Sequence, residues 1–174
     1  MKKVLTKKFF ERKSPEVAKD LIGKYLVRKI GDKEIAIMIT ETEAYNGTCD
    51  KACHASKGRT KRTEPLFGEA GIFYVYLIYG FYYLLNVVCD EKDVASAVLI
   101  RGLSEVSGPG RLTKHLSIDK TFLGKEAKLQ NNLWFEDRGE KINPKQIKKT
   151  PRIGVDYSGP VWSKKLYRFL LEEK

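Results

Sequence analysis

Cysteine is scarce in this sequence. There are three in 174 residues, an odd number that suits a reducing compartment and does not suit a disulfide framework. Long apolar runs are scarcer still. Outside the stretch 71–89 no window reaches eighteen uncharged apolar residues, and that stretch carries five tyrosines and a central Tyr79-Gly80, which argues against a transmembrane helix. The opening MKKVLTKKFFERK has no signal-peptide core, so the chain is expected in the cytosol, at the nucleoid in a prokaryote, with no membrane partner. No phosphate loop, dinucleotide fingerprint or Ser-His-Asp spacing occurs. Neither an internal repeat nor a domain boundary is visible, so one domain over 1–174 is expected, long enough for a sizeable core. Acids are also in deficit. Against 33 Lys and Arg stand 22 Asp and Glu, and the net charge of +11 favours a polyanion, most simply nucleic acid.

What the sequence does have is concentrated in GIFYVYLIYGFYYLLNVVC, residues 71–89. Two runs dense in β-branched and aromatic residues, Ile72–Ile78 and Phe81–Val88, flank a two-residue break and predict a β-hairpin. Their near-continuous apolarity predicts cover on both faces, hence a place in the middle of the domain. Tyr is a poor choice for the first central position of a two-residue loop, so Tyr79 should be exposed, with Phe81 and Tyr82 close behind. It is either a packed edge aromatic or a rigid finger that enters something.

Lys2–Lys13 is basic around Phe9-Phe10 and reads as a docking arm. Ser14-Pro15-Glu16 opens a helix with Ser as N-cap, and Gly23 closes it beyond Val17, Ala18, Leu21 and Ile22. Strands follow at Tyr25–Ile30 and Ile35–Tyr45, and alternation puts Glu41, Glu43 and Tyr45 on one face. The long connection 46–71 holds Cys49, Cys53, His54, the basic run Lys57, Arg59, Lys61, Arg62, and Phe67. Ala95–Leu103 reads as a strand carrying Arg101 near its end. Gly108–Arg111 leads into a short helix, Leu112–Leu116, whose start can meet a phosphate. A loop at 120–132, a short strand at Leu133–Phe135, a charged surface loop at 137–149, and closing strands at Pro151–Val155 and Leu166–Leu170 complete the chain.

Cys49, Cys53 and His54, with Cys89, match no standard zinc spacing; buried thiols are the simpler reading, and no metal is assigned. Glu43 and His54 are candidates for an acid/base pair, or Glu43 is an ion-paired strand end, with Arg101 placed to hold an anion or a water. A basic surface, an aromatic finger, Tyr45 and Tyr76 to sandwich a flat ring, and one acid are the equipment for extruding a base and attacking its sugar. The alternative is a non-catalytic single-stranded nucleic-acid-binding module, which wants charge and aromatics but no placed acid.

Glu41-Thr42-Glu43-Ala44-Tyr45, Ala52-x-His54, Tyr74-Val75-Tyr76-x-Ile78-Tyr79-Gly80 with Asn86, and Val98-Leu99-Ile100-Arg101 together resemble the alkyladenine (3-methyladenine) DNA glycosylase family. Gly108-Pro109-x-x-Leu112, Arg152-Ile153-Gly154-Val155 and Arg168-Phe169 extend the likeness over roughly 8–170. The resemblance implies a compact mixed α+β domain around a curved antiparallel sheet, with a protruding hairpin and short helices. It implies a monomeric, monofunctional enzyme of base excision repair that uses no cofactor. Such an enzyme releases 3-methyladenine and other alkylated purines from double-stranded DNA, with hypoxanthine and ethenoadenine as further candidates, and leaves an abasic site. By the same resemblance Glu43 is the general base, and Arg101 and the Ile153 carbonyl hold the water. Tyr45 stacks on one face of the base and His54 and Tyr76 on the other, while the amide beside His54 reads the purine edge. Asn86 crowds the exocyclic amine of guanine, and Tyr79, with Phe81 behind it, fills the gap in the duplex. Lys57, Arg59, Lys61, Arg62 and Arg111 are assigned to the DNA backbone. The sequence departs from the family pattern at Thr63, Leu66, Gly110-Arg111 and Phe81, which bears on substrate breadth more than on the reaction.

Overall fold

The computed structural model describes residues 2–172. In chain order they form β1 (Lys3–Val4), α1 (Lys7–Phe10), α2 (Ser14–Leu21), β2 (Tyr25–Ile30), β3 (Lys33–Tyr45), β4 (Phe73–Ile78) and β5 (Tyr82–Cys89). There follow β6 (Ser96–Leu103), β7 (Val106–Ser107), α3 (Pro109–His115), β8 (Leu133–Asp137), β9 (Ile147–Thr150), α4 (Gly159–Trp162) and β10 (Arg168–Leu171). Every strand pair is antiparallel, in the order β1-β8-β2-β3-β6-β5-β4, with β10 on β3, β9 on β10 and β7 on β6. The architecture is the expected mixed α+β, a large antiparallel sheet with few and short helices.

The long strand β3 organises the site. Its first half pairs with β2, and its second half pairs with β6 on one side and β10 on the other. The change of partner coincides with register shifts at Ile39, Glu41 and Thr42, where a bulge bends the strand. Glu41 lies within that irregularity, and Glu43 and Tyr45 lie just beyond it.

Strands β4, β5 and β6 are buried on both faces for most of their length, because the sheet has a core on each side. Phe73, Val75, Leu85, Val87, Val98 and Ile100 face the main core, with Phe10, Leu21, Leu112 and Phe135. The alternate residues Tyr74, Val88 and Ala97 face a second cluster built from Cys53, Ala55, Leu66 and Phe67 of the 46–71 connection. Burying one such aliphatic or aromatic side chain contributes about 1.5–3 kcal/mol. Covering both faces therefore explains why the hairpin sequence is apolar without alternation.

Several expectations need correction. The hairpin lies at one end of the strand path, not in the middle, and its break is three residues, since Ile78 pairs with Tyr82. Phe81 thus belongs to the turn. The amino-terminal segment is no free arm, because β1 pairs with β8 and Phe10 is buried against Phe135. Helix α2 is capped by Lys13; Ser14 instead donates its hydroxyl to the Tyr45 carbonyl (3.0 Å), tying the helix to the site. Helix α3 begins at Pro109, three residues before the expected start, where a proline costs no hydrogen bond. Residues 137–149 include a 3₁₀ turn at Pro144–Gln146 and the start of β9, so they are not loop throughout. Residues 151–155 form a loop, not a strand, with Pro151 lacking a donor and Gly154 at φ 73°.

Candidate active site

Alternation carries one set of side chains from four strands into a pocket of about 310 Å³. That volume is at the lower end of the roughly 300–1,000 Å³ of small-molecule sites. Glu43, Leu99, Asn86 and Tyr74 are cross-strand neighbours in one row over β3, β6, β5 and β4. Tyr45, His54, Tyr76, Tyr79, Asn86, Arg101 and Ile153 all line the cavity, so seven of the residues assigned to the site from sequence meet there.

Glu43 itself does not line the cavity: it is fully buried behind Tyr45, Arg101 and Ile153, which do. Its Oε1 accepts from the Ile153 backbone N–H (2.8 Å) and its Oε2 from the Tyr45 hydroxyl (2.9 Å), while Arg101 Nη1 lies 3.5 Å from Oε1. Burial raises the carboxyl above its ordinary pKa, and Arg101, the Ile153 amide and Tyr45 draw it back. An ionised carboxylate offers about four acceptor sites. The two hydrogen bonds leave it capacity for a water. The loop meets Glu43 through the amide of Ile153, where the sequence reading had placed its carbonyl on the water.

Of the two readings of Glu43, the pair with His54 is not formed by hydrogen bond, and the ion-paired strand end is closer to the geometry. His54 Nδ1 is instead 3.0 Å from the Tyr74 hydroxyl, and its ring sits edge-on to Tyr76 at 4.6 Å. Burial, with Arg62 nearby, lowers its pKa to about 4. The folded protein therefore carries a predominantly neutral His54 at neutral pH. An NMR titration should show the His54 ring signals unmoved between pH 8 and pH 5; a transition near 6.5 would contradict this environment. Tyr45 is held protonated, its pKa pushed well up first by burial and then by Glu43, so its hydroxyl remains a donor. Asn86 is buried, with its side-chain amide donating to the Tyr74 carbonyl (3.2 Å).

At the hairpin tip Tyr79 is 83% exposed and Phe81 67%. Tyr79 (φ 50°) and Gly80 (φ 77°) are both left-handed, as a type I′ turn requires. For a bulky residue such as Tyr that conformation is an outlier costing roughly 1–2 kcal/mol. The Phe81 ring rests on Tyr82 at 4.4 Å. Lys57, Lys61, Arg62 and Arg111 are exposed. Arg59 is engaged within the chain, paired with Glu64 and Asp93 and lying over the Phe67 ring at 4.5 Å. Cys53 and Cys89 are buried and Cys49 exposed. Burial raises the Cys53 thiol to about 11, and its sulfur contacts the Ala95 carbonyl.

Four residues contribute in ways the sequence reading did not assign. Tyr74, which partners His54, shares the face of Tyr76 two residues on, a signal that alternation contains. Tyr157 lines the mouth with its hydroxyl on the Ala52 carbonyl (3.1 Å). Asp50 and Arg152 form a fully buried pair behind Tyr45, the guanidinium 4.8 Å from that ring.

A buried carboxylate held behind the wall of a tyrosine-lined pocket, on an antiparallel sheet in a chain of net charge +11, is an arrangement suited to hydrolysis at a flat aromatic group carried on a polyanion. Comparison with known proteins makes this specific: the chain belongs to the methylpurine-DNA glycosylase (MPG) family, whose model matches residues 8–108 and 104–174. Proteins that carry the provisional name 3-methyladenine DNA glycosylase are similar to it over nearly their whole length. One from Legionella pneumophila (strain Paris) is 44% identical over 99% of this chain and 96% of its own. One from Methanocella arvoryzae is 42% identical over 90% and 86%, and one from Borreliella afzelii 41% over 94% and 94%. The chain is thus a DNA glycosylase, a hydrolase of N-glycosyl bonds with DNA as its substrate.

Proposed function

We propose that this chain is a monofunctional glycosylase of base excision repair. It acts as a monomer and a single domain on double-stranded DNA, extrudes a damaged purine, and hydrolyses its N-glycosyl bond to leave an abasic site. The substrates are 3-methyladenine and other alkylated purines, with hypoxanthine and ethenoadenine as further members. The names of the relatives support the first of these. The observation that carries the reading is the fully buried Glu43, bound by the Ile153 amide and the Tyr45 hydroxyl under the pocket.

N-glycosyl bond cleavage passes through an oxocarbenium-like sugar. A carboxylate beside it stabilises the developing cation and, as general base, takes a proton from the attacking water. Burial strengthens both effects, because little solvent screens the charge. Arg101 helps to orient the water. An alkylated purine already carries positive charge and leaves readily, and a damaged or mispaired base costs less to unstack. Tyr45 stacks on one face of the extruded base and His54 with Tyr76 on the other. The backbone amide beside His54 reads the purine edge, and Asn86 disfavours guanine by crowding its exocyclic amine. Among the described residues no lysine lines the pocket, which supports a reaction without strand cleavage.

Tyr79 enters the stack where the nucleotide leaves, with Phe81 behind it, and Lys57, Arg59, Lys61, Arg62 and Arg111 follow the phosphates. For Arg59 this entails release from its two acidic partners. Tyr79→Ala should weaken binding to a lesion-containing duplex by roughly 1–3 kcal/mol, the worth of one stacking contact. Unchanged affinity in a fluorescence-anisotropy titration would remove Tyr79 from this role.

The test of the whole reading is single-turnover release from a duplex bearing one hypoxanthine or alkylated purine, with EDTA present. Free base and an intact, alkali-labile strand are the expected products. Tight binding without release from several lesions would give the chain to the alternative, a non-catalytic single-strand-binding module.

A further inference from the structure

Glu43 is not alone under the pocket. Two residues earlier on β3, Glu41 is also buried, and its Oε1 accepts from two guanidinium groups, Arg101 Nε at 3.0 Å and Arg168 Nε at 2.5 Å. Arg101 thus commits its hydrogen bond to Glu41. Its Nη1, 3.5 Å from Glu43, is beyond the length of a good hydrogen bond. Arg168 is the cross-strand partner of Glu43, which puts its side chain on the face shared by both acids. Gly102 keeps the space that Glu41 fills: a Cβ there would come 3.0 Å from Glu41 Cβ and 3.3 Å from its Oε2.

We propose that Glu41 is a positioning residue, anchored by Arg168, that holds Arg101 back from closing onto Glu43. This rests on Glu43 being the general base. A closed guanidinium–carboxylate pair would occupy the acceptor capacity left for the water and would make the carboxylate a weaker base. With Arg101 drawn toward Glu41, its charge still steadies Glu43 while the lone pair stays open. The other groups facing Glu43 are the Tyr45 hydroxyl on its own strand, Tyr76 on β4, and the Ile153 amide and Arg152 in the 151–155 loop. None of them contacts Glu41 by hydrogen bond among the described residues. Consistent with the geometry, Arg101 lowers the Glu43 pKa and Glu41 raises it.

The experiment is the pH profile of single-turnover base release. Activity requires ionised Glu43 and is lost as pH falls through its pKa. Glu41→Gln removes a like charge and frees Arg101 for Glu43, so the acid limb should move to lower pH by roughly one unit, with a lower plateau. Arg168→Met removes a cation and leaves Arg101 as the one guanidinium on Glu41, so the limb should move to higher pH. Arg168→Lys keeps the charge and should return the limb to its parental position. Limbs that stay put, or that move in the same direction in the first two variants, overturn the proposal; so does a Glu41→Gln limb that shifts with an unchanged plateau, since loss of a like charge alone would move the limb without closing Arg101 onto Glu43. Glu43→Gln separates the two readings. If it remains active, the assignment of the base fails; if it is inactive and the limbs do not move as stated, only the role of Glu41 fails. Thermal melts of each variant confirm that folded protein was assayed.

Discussion

Glu43→Gln is expected to lower single-turnover base release by about 10²–10⁴-fold, the usual contribution of a placed general base, with affinity for lesion duplex close to that of the parent protein. The substitution keeps size and one acceptor oxygen, so the Ile153 amide, 2.8 Å from the present carboxylate, retains a partner. It also removes a charge whose burial raises its pKa, which relieves the fold of a desolvation cost. Loss of activity in a well-folded variant therefore reports chemistry, not unfolding. Full activity would refute the proposed mechanism.

The second large effect concerns stability. Arg152 and Asp50 are both fully buried and joined by two hydrogen bonds, Nη1–Oδ2 at 2.5 Å and Nη2–Oδ1 at 2.9 Å. Arg152 also donates to the carbonyls of Ala44 and Trp162, while Asp50 accepts from the amides of Asn46 and Ala52. Replacing one partner strands the other's charge without solvent. Arg152→Met is expected to cost roughly 3–5 kcal/mol, about 6–20 °C in melting temperature for a chain of this size. Adding Asp50→Asn to it should recover part of that loss, because the stranded charge is then gone. A melting temperature within about 2 °C of the parent for Arg152→Met would mean that less than about 1 kcal/mol rests on the pair.

This pair marks the boundary of what the sequence made legible. Glu43, Tyr45, Tyr74, Tyr76, Asn86 and Arg101 could be placed on strands because alternation is a local rule, and the strands brought them together as that rule requires. Asp50 and Arg152 are 102 residues apart, and no local pattern joins them. The same holds for the Ile153 amide, since a backbone donor has no signature in the side-chain code. Phe9-Phe10 misled for the opposite reason: a basic surround suggested an exposed arm, yet the apolar residue decided and Phe10 went into the core. His54 lines the pocket, but its contact with Tyr74, twenty residues on, has no local signature either. The hairpin was displaced to the sheet end because two covered faces do not require a strand on each side.

The left-handed backbone of Tyr79 has an evolutionary consequence. At φ 50° an asparagine or a glycine would sit at ease where tyrosine is strained. Selection for heat resistance alone would therefore drift this tip toward Asn-Gly and discard the ring proposed to enter the duplex. On the proposed reading, entry of the ring into the duplex is what would hold tyrosine here against that drift.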